Sequence, residues 1–322
     1  MLTSIFSYAL IVIYMKESIN YYYNFNIAEV ENWGDNYRFY YLNQLFYFVP
    51  FKRAEAELED IINVSKELKG KNIEVHDIIT NIFGRVITNA QNMNYILLRT
   101  IGDISQEFPI NDIIRMNNML ILNESKSKLY RNSWASLWSA KLDYFEYQVS
   151  ELGKDKPLVL DSFSYYLGLG ENAISYLNEI TSKYTPSKDD RICLSHKRID
   201  VPNYKLNYLN PLSFIMDYEV RDLASYIKSA FFKGEDALSY LRELLRIKRF
   251  TIYSYGLFYA RLLYPTYYFD VYEGIMNGKK DEDDLIPIID KVEAYEEFLK
   301  NAYYEISKYA PIDRIEWILN DK

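Results

Sequence analysis

The chain is poor in the residues that build disulfide or metal scaffolds. It has a single cysteine, Cys193, and two histidines, His76 and His196, among 322 residues. One cysteine cannot close an intramolecular disulfide or form a cysteine-based zinc site, and two histidines are too few for a histidine-rich metal centre. Because Cys193 lies in an apolar run, we expect it to be a buried core residue in a protein of a reducing compartment.

Positive charge is also scarce. Lysine and arginine total 37 against 45 acidic residues, which gives a formal net charge of -8 at pH 7. Proteins that bind nucleic acid neutralise phosphates with dense basic surfaces, and no basic run of that density is present. We therefore expect no nucleic-acid partner.

Long hydrophobic runs are missing as well. The most membrane-like segment is Ile5–Tyr14, with the sequence IFSYALIVIY. It is far shorter than the roughly 20 apolar residues that cross a bilayer, no basic residue precedes it and no small-x-small cleavage site follows it. These features predict no membrane span, and a short amphipathic or buried segment at this position.

Tyrosine, in contrast, is abundant, with 33 copies. An AT-rich genome explains this excess, since its codons supply tyrosine together with asparagine, isoleucine and lysine. Tyrosine also provides large amphipathic contact area at low entropic cost, which suits the surface of an assembly protein.

The pattern along the chain predicts an α+β fold. Aromatic segments separated by turn residues predict antiparallel strands over Tyr37–Leu42 and Leu45–Phe51. A helical period follows over Arg53–Leu68, and further strands are predicted over Ile78–Phe83 and Tyr95–Arg99. From about residue 111 onward the pattern is almost wholly helical.

The segment 192–224 resembles a phosphotransferase catalytic loop and its metal-binding strand. In kinase-like phosphotransferases of the aminoglycoside-kinase type, the loop reads roughly H-G-D-x-H-x-x-N and precedes a hydrophobic strand that ends in aspartate. In this chain HKRIDVPN places His196 at the histidine, Arg198 at the catalytic aspartate and Asn203 at the metal-ligand asparagine. The predicted strand Leu212–Met216 then ends at Asp217, and the next helix opens with R-D-L-A at 221–224.

This resemblance implies a degenerate catalytic loop formed by His196, Arg198 and Asp200. A guanidinium cannot act as a general base, since it stays protonated and has no acceptor. Asn203 and Asp217 then occupy vestigial metal-binding and nucleotide-binding positions. The alternative role for Asp217 is structural, in which it caps or turns the chain before the next helix. His196 is expected to be structural and to hydrogen-bond the backbone, and Arg198 is expected to face Asp200 and Asp217.

A nucleotide site of the kinase type also lacks its usual components. The predicted strands contain no G-x-G-x-x-G loop. Val49–Lys52 loosely matches the V-A-I-K strand motif, but a second alignment places Phe48 at the lysine, so Lys52 is expected to be a surface residue. Glu55, Glu57 and Glu59 are interpreted as the acidic first turn of a helix.

Three further segments resemble motifs of the spore-coat CotS/YutH family of kinase-like proteins from endospore-forming bacteria. These are DSFSYYLGLGENAISYL at Asp161–Leu177, YSYGLFYARLLYPTYYFDVYE at Tyr253–Glu273 and APIDRIEWI at Ala310–Ile318. The resemblance is closest to the YutH-like branch, whose catalytic loops are similarly eroded.

This resemblance implies a protein-kinase-like bilobal fold, with a small antiparallel β lobe over residues 1–102 and a larger, mostly helical lobe over 103–322. It implies a non-catalytic pseudokinase of the endospore coat or its assembly, located in the mother-cell cytoplasm and the coat. Its partners would be other coat or morphogenetic proteins, and it would need no cofactor. One alternative is an active small-molecule or protein kinase that uses Mg²⁺, ATP, Asp200 and Asp217; the other is a module that senses ATP without phosphoryl transfer.

Overall fold

The N-terminal strands pair into one antiparallel six-stranded sheet. The computed structural model describes residues 2–119 and 127–319, and the side chains of residues 10–118 and 127–319. The strands of this sheet are β1 (Glu31–Trp33), β2 (Asn36–Tyr41), β3 (Gln44–Pro50), β4 (Asp77–Ile79), β5 (Ile87–Ala90) and β6 (Met93–Arg99). Their order is β1-β2-β3-β6-β4, and β5 pairs with β6.

The predicted β2–β3 hairpin is confirmed. Tyr40 pairs with Leu45, and the turn residues Leu42 and Asn43 both have positive φ, which matches the twist of a tight hairpin. The strand predicted over Ile78–Phe83 ends earlier, at the third residue of β4. Strands β1 and β5 are not predicted from the sequence, because both are too short to show a clear alternating pattern.

Helices make up most of the remaining chain. Their bounds are α1 (Leu2–Tyr23), α2 (Leu58–Gly70), α3 (Ile110–Met119), α4 (Trp134–Leu152), α5 (Pro157–Lys183), α6 (Lys205–Tyr208), α7 (Val220–Phe232), α8 (Ala237–Ile247), α9 (Ile252–Leu263), α10 (Thr266–Met276), α11 (Ile286–Ile289), α12 (Val292–Ser307) and α13 (Glu316–Leu319). Strands β7 (Ile192–His196) and β8 (Phe214–Tyr218) form a separate two-stranded sheet.

The N-terminal helix α1 is longer than the short segment that the sequence predicts. Met15, Ile19 and Tyr23 follow one another at four-residue spacing and are buried in the same cluster as Phe48 and Tyr95, whose rings stack at 4.5 Å. Within the described residues, every helix is either too short or too polar to traverse a bilayer.

Two compact units divide the described residues. The sheet unit contains residues 2–108, 127–129 and 203–214, and the helical unit contains residues 109–119, 130–202 and 215–319. Residues 203–214, which the predicted boundary places in the second domain, belong to the sheet unit. The domain boundary at residue 102 stays a prediction.

Helix α9 is the centre of the helical unit. Its sequence IYSYGLFYARLL has no polar face, and the whole stretch from Tyr253 to Leu263 is buried. The helix begins after Thr251, whose side chain caps it by accepting a hydrogen bond from the Ser254 amide. Its main contacts are with α5 and α7. This burial of α9 places Arg261 in the interior.

Candidate functional site

The degenerate loop leaves β7 at His196, which is held by a carboxylate from α7. The His196 Nδ1–H donates to Asp222 Oδ2 at 2.7 Å, and the His196 amide donates to Asp222 Oδ1 at 3.0 Å. Both side chains are almost fully buried. The carboxylate of Asp222 therefore fixes both the His196 ring and the backbone at the start of the loop, which is a structural role.

Asp217 lies in β8 and is completely buried, with donors around both oxygens. Trp134 Nε1 lies 3.0 and 2.9 Å from Oδ1 and Oδ2, the Tyr218 amide donates to Oδ1 at 2.7 Å, and Arg221 Nη1 donates to Oδ2 at 2.6 Å. Burial raises the pKa of Asp217, while the positive charges of Arg221 and Arg261 and the indole hydrogen bond lower it. The carboxylate therefore acts as the acceptor at the centre of a hydrogen-bonded network.

Arg198 does not face Asp217, contrary to the expectation from the sequence. Its Nε and Nη2 donate to the carboxylate of Asp270 in α10 at 2.8 and 2.5 Å, a two-point ion pair that is nearly half exposed. Asp270 lies 72 residues after Arg198 in the chain, so the loop motif alone could not predict this ion pair. The guanidinium that pairs with Asp217 belongs to Arg221 instead.

Asp200 and Asn203 complete the predicted set. Asp200 is exposed and forms no hydrogen bond or ion pair with any residue of 2–119 or 127–319. Asn203 belongs to the sheet unit. Its side-chain Nδ2 donates to the backbone carbonyl of Phe108 at 3.3 Å, and its backbone carbonyl accepts from the backbone amide of Phe108 at 2.5 Å.

The carboxylate of Asp217 does not fit a magnesium ligand in this arrangement. Magnesium requires oxygen ligands at about 2.0–2.1 Å with near-octahedral geometry. A cation that close to Asp217 would lie against the Arg221 guanidinium and displace donors from both oxygens. Within residues 2–119 and 127–319, no three histidine, cysteine, aspartate or glutamate side chains cluster as metal ligands. The vestigial metal assignment of Asn203 and Asp217 stays a prediction.

The two positions considered for a nucleotide-binding lysine have structural roles. Lys52 lies on the surface and pairs with Asp35 at 2.6 Å. Phe48 is fully buried in the core of the sheet unit. Glu57 pairs with Arg53, whose Nη1 also donates to the Leu212 and Phe214 carbonyls at 3.1 and 2.7 Å.

Arg261, which carries no prediction from the sequence, lies beside this network. It is 7% exposed, its guanidinium carbon lies 4.7 Å from the centre of the Trp134 ring, and its Nε has no hydrogen-bond partner. Burial and the neighbouring charge of Arg221 lower the pKa of Arg261, which nevertheless stays protonated at neutral pH. A charge in the middle of the apolar run LFYARLL is the sequence signal that points to this residue.

Arg261, Trp134 and Arg221 line a cavity of about 490 Å³ within the helical unit. Its lining combines cationic and apolar side chains: Arg131, Trp134, Leu137, Trp138, Lys141, Lys197, Arg198, Ile215, Arg221, Arg261, Tyr264, Thr266, Phe269 and Asp270. A second cavity of about 350 Å³ shares Arg198, Arg261, Thr266 and Asp270 with the first and is also lined by Asp200 and Lys228.

The predicted resemblance to the spore-coat family agrees with a comparison against protein families. The model described as "Spore coat putative kinase YutH" matches residues 16–302. The chain belongs to this spore coat YutH family. The endospore coat-associated protein YutH of Bacillus subtilis (strain 168) is 24% identical over 341 residues, which cover 94% of this chain and 98% of the relative.

Solved structures establish the kinase-like fold of this family member. An aminoglycoside phosphotransferase from Alicyclobacillus acidocaldarius superposes with a TM-score of 0.63 at 10% identity, covering 91% of this chain and 96% of that one. The spectinomycin phosphotransferase APH(9)-Ia in complex with AMP gives 0.58 at 13% identity, covering 90% and 97%. At these identities the similarity concerns the fold alone, and it confirms the predicted fold class.

Proposed function

We propose that this YutH-family protein is a non-catalytic pseudokinase of the endospore coat or its assembly, which works by binding other proteins. The observation that carries the proposal is the state of the two residues on which phosphoryl transfer depends. Arginine replaces the base at position 198 and is tied to Asp270, and the Asp217 carboxylate is saturated by Trp134, Tyr218 and Arg221. Kinase chemistry requires a carboxylate base and metal-bridged phosphates.

The surface of α4 favours binding of a protein partner. Leu137, Tyr144, Tyr147 and Leu152 are 49–63% exposed along this helix. Exposed aromatic side chains are typical of the centres of protein interfaces. The acidic side chains of Asp143, Glu146 and Glu151 lie exposed in the same helix. Charge complementarity therefore favours a basic coat or morphogenetic protein as the occupant of this face.

Two measurements test the proposal. Purified protein with Mg²⁺ and ATP should give no turnover above buffer, and Arg198→Asp should not create turnover, because the variant restores the carboxylate without freeing Asp217. In a sporulating host, a fluorescent fusion should form a ring around the developing spore. Turnover by the wild-type protein would refute the non-catalytic assignment, and a diffuse fusion throughout sporulation would refute the coat assignment.

A kinase that uses Asp200 as its base is the second candidate. The favourable observation is that Asp200 is exposed, lines the cavity of about 350 Å³ and has no bonding partner among the described residues. A carboxylate in this state is available to accept a proton. Turnover that is lost in Asp200→Asn and retained in Asp103→Asn, a substitution of another exposed aspartate, would establish this function in place of the first.

A further inference from the structure

Arg261 is a buried positive charge without a negative partner. No carboxylate among the described residues forms an ion pair with it, and it donates no hydrogen bond to any of them. Its contacts are with the faces of Trp134 and Trp138, at 4.7 and 5.9 Å from the ring centres. Buried charges in proteins are almost always paired or hydrogen-bonded, and a guanidinium offers five donors in a planar fork.

The side chains around Arg261 select for negative charge. Besides Arg261, the cavity of about 490 Å³ is lined by Arg131, Lys141, Lys197, Arg198 and Arg221, whereas Asp270 is the acidic side chain among its described lining residues. Of these cations, Lys141 is paired with Glu273 at 2.9 Å. Asp217 and Asp270 already form ion pairs with Arg221 and Arg198, and Asp217 attracts Arg261 through space without forming an ion pair or a hydrogen bond with it. This local excess of positive charge contrasts with the net charge of -8 of the whole chain.

We propose that this cavity is a binding site for a small phosphorylated organic molecule, held by Arg261 and the neighbouring cations without a divalent metal ion. A guanidinium recognises phosphate oxygens through two parallel hydrogen bonds, and low local dielectric strengthens them. Arg221 lines the same cavity, but its charge is balanced by its ion pair with Asp217, so Arg261 is the cation there that lacks an ion-pair partner among the described residues.

The apolar part of the lining defines the rest of the ligand. Trp134, Leu137, Trp138, Ile215 and Phe269 face the same cavity. Ligand sites commonly combine apolar walls with a few polar groups that fix orientation, and this volume lies in the usual range for them. A phosphate ester with an aromatic or aliphatic body therefore fits better than free phosphate. The site does not depend on the coat assignment.

The test uses the whole chain with phenyl phosphate and inorganic phosphate as probes, in EDTA and at constant ionic strength. Binding is followed by tryptophan fluorescence, since Trp134 and Trp138 line the cavity, and by the rise in Tm. We expect saturable binding in EDTA, with phenyl phosphate tighter than inorganic phosphate, and no strengthening on addition of Mg²⁺. Arg261→Met should weaken binding about tenfold or more, as loss of a charge-assisted hydrogen bond predicts.

Control variants separate the site from general charge effects. Arg242→Met, which removes an exposed arginine that pairs with Glu305, should bind like the wild type. Lys197→Ala changes an exposed lining residue and should weaken binding even if Arg261→Met fails to fold. Equal binding by wild type and both lining variants would overturn the proposal. So would an absolute requirement for Mg²⁺, or citrate binding as tight as that of phenyl phosphate.

Discussion

At the scale of single residues, the candidate site is built around the ion pair of Asp217 with Arg221, which the sequence does not predict although both residues lie in the motif. Asp217 and Arg221 are four residues apart, and the turn between β8 and α7 brings their side chains together at 2.6 Å. Trp134 reaches the same carboxylate from α4. Removing one partner of a buried pair leaves an uncompensated charge, whereas removing both has a much smaller effect.

Arg221→Met should therefore lower the free energy of unfolding by about 3 kcal/mol, because the buried Asp217 carboxylate loses its counter-charge. The double variant Asp217→Leu/Arg221→Met should recover most of that loss, giving a large coupling energy in a double-mutant cycle measured by urea denaturation. If the two single substitutions had additive effects, the pair would not be coupled as the geometry indicates.

Arg198→Ala should have a much smaller effect. Its ion pair with Asp270 is exposed, with 47% and 38% of the two side chains accessible, and exposed pairs contribute roughly 0–1 kcal/mol. Urea denaturation of this variant should therefore differ from the wild type by less than about 1 kcal/mol. A loss as large as that of Arg221→Met would mean that Arg198 faces Asp217 in the core, as expected from the sequence alone.

At the scale of elements, the contact between α5 and α9 depends on a glycine. A Cβ atom added at Gly256 would lie 2.7–2.9 Å from carbons of Ile180, which is fully buried and cannot move aside. Gly256→Ala should lower the free energy of unfolding by about 1–3 kcal/mol through overpacking. Gly168→Ala in α5, where nothing lies within 4 Å, should leave stability unchanged or raise it by up to about 1 kcal/mol. Calorimetry of both variants separates packing from helix propensity.

His76 gives the sheet unit a predictable pH dependence. Its Nδ1 accepts from the Ile101 amide and its Nε2–H donates to the Leu206 carbonyl, both at 3.1 Å, so the ring is held neutral. Burial lowers the pKa of His76 below its usual value of about 6.5. The unfolded chain then takes up a proton first, so stability is full above about pH 6.5 and falls as pH drops through the folded pKa.

Denaturant titrations between pH 8 and pH 5 check this prediction. The wild type should lose stability below about pH 6.5, and His76→Gln, although less stable at pH 8, should show a smaller change over the same range. Carboxylate titration is common to both proteins, so the difference between the curves isolates His76. Parallel curves would mean that His76 does not titrate differently in the folded state.

Local signals predict the elements well and the site poorly. The β2–β3 hairpin and the helix that begins with R-D-L-A are predictable because alternation, turn residues and helical period act over neighbouring positions. Pro211 starts a short 3-10 turn instead of continuing a strand, which moves β8 two residues beyond the predicted start. Trp134 and Asp217 are 83 residues apart, and no local pattern links them.

At the scale of the whole molecule, the abundance of tyrosine serves the interior more than the surface. Tyr166, Tyr259, Tyr268 and Tyr272 are fully or almost fully buried in the helical unit, where their hydroxyl groups find hydrogen-bond acceptors or partners. More tyrosines of the described chain are buried than exposed. An interaction surface therefore depends on a few exposed positions, not on the composition.

The exposed face of α4 provides the decisive test of the binding role. Tyr144→Ser/Tyr147→Ser removes two aromatic side chains that are 55% and 63% exposed, so it should leave Tm nearly unchanged while a fluorescent fusion loses its ring around the developing spore. Tyr40→Ser removes a tyrosine that is 66% exposed in the sheet unit, and its fusion should form a ring like the wild type. If the double variant still formed the ring, recruitment would have to use another face. If both variants lost the ring, the cause would be a general loss of exposed aromatic area. A localised interface on α4 predicts instead that the substitution in β2 has no effect.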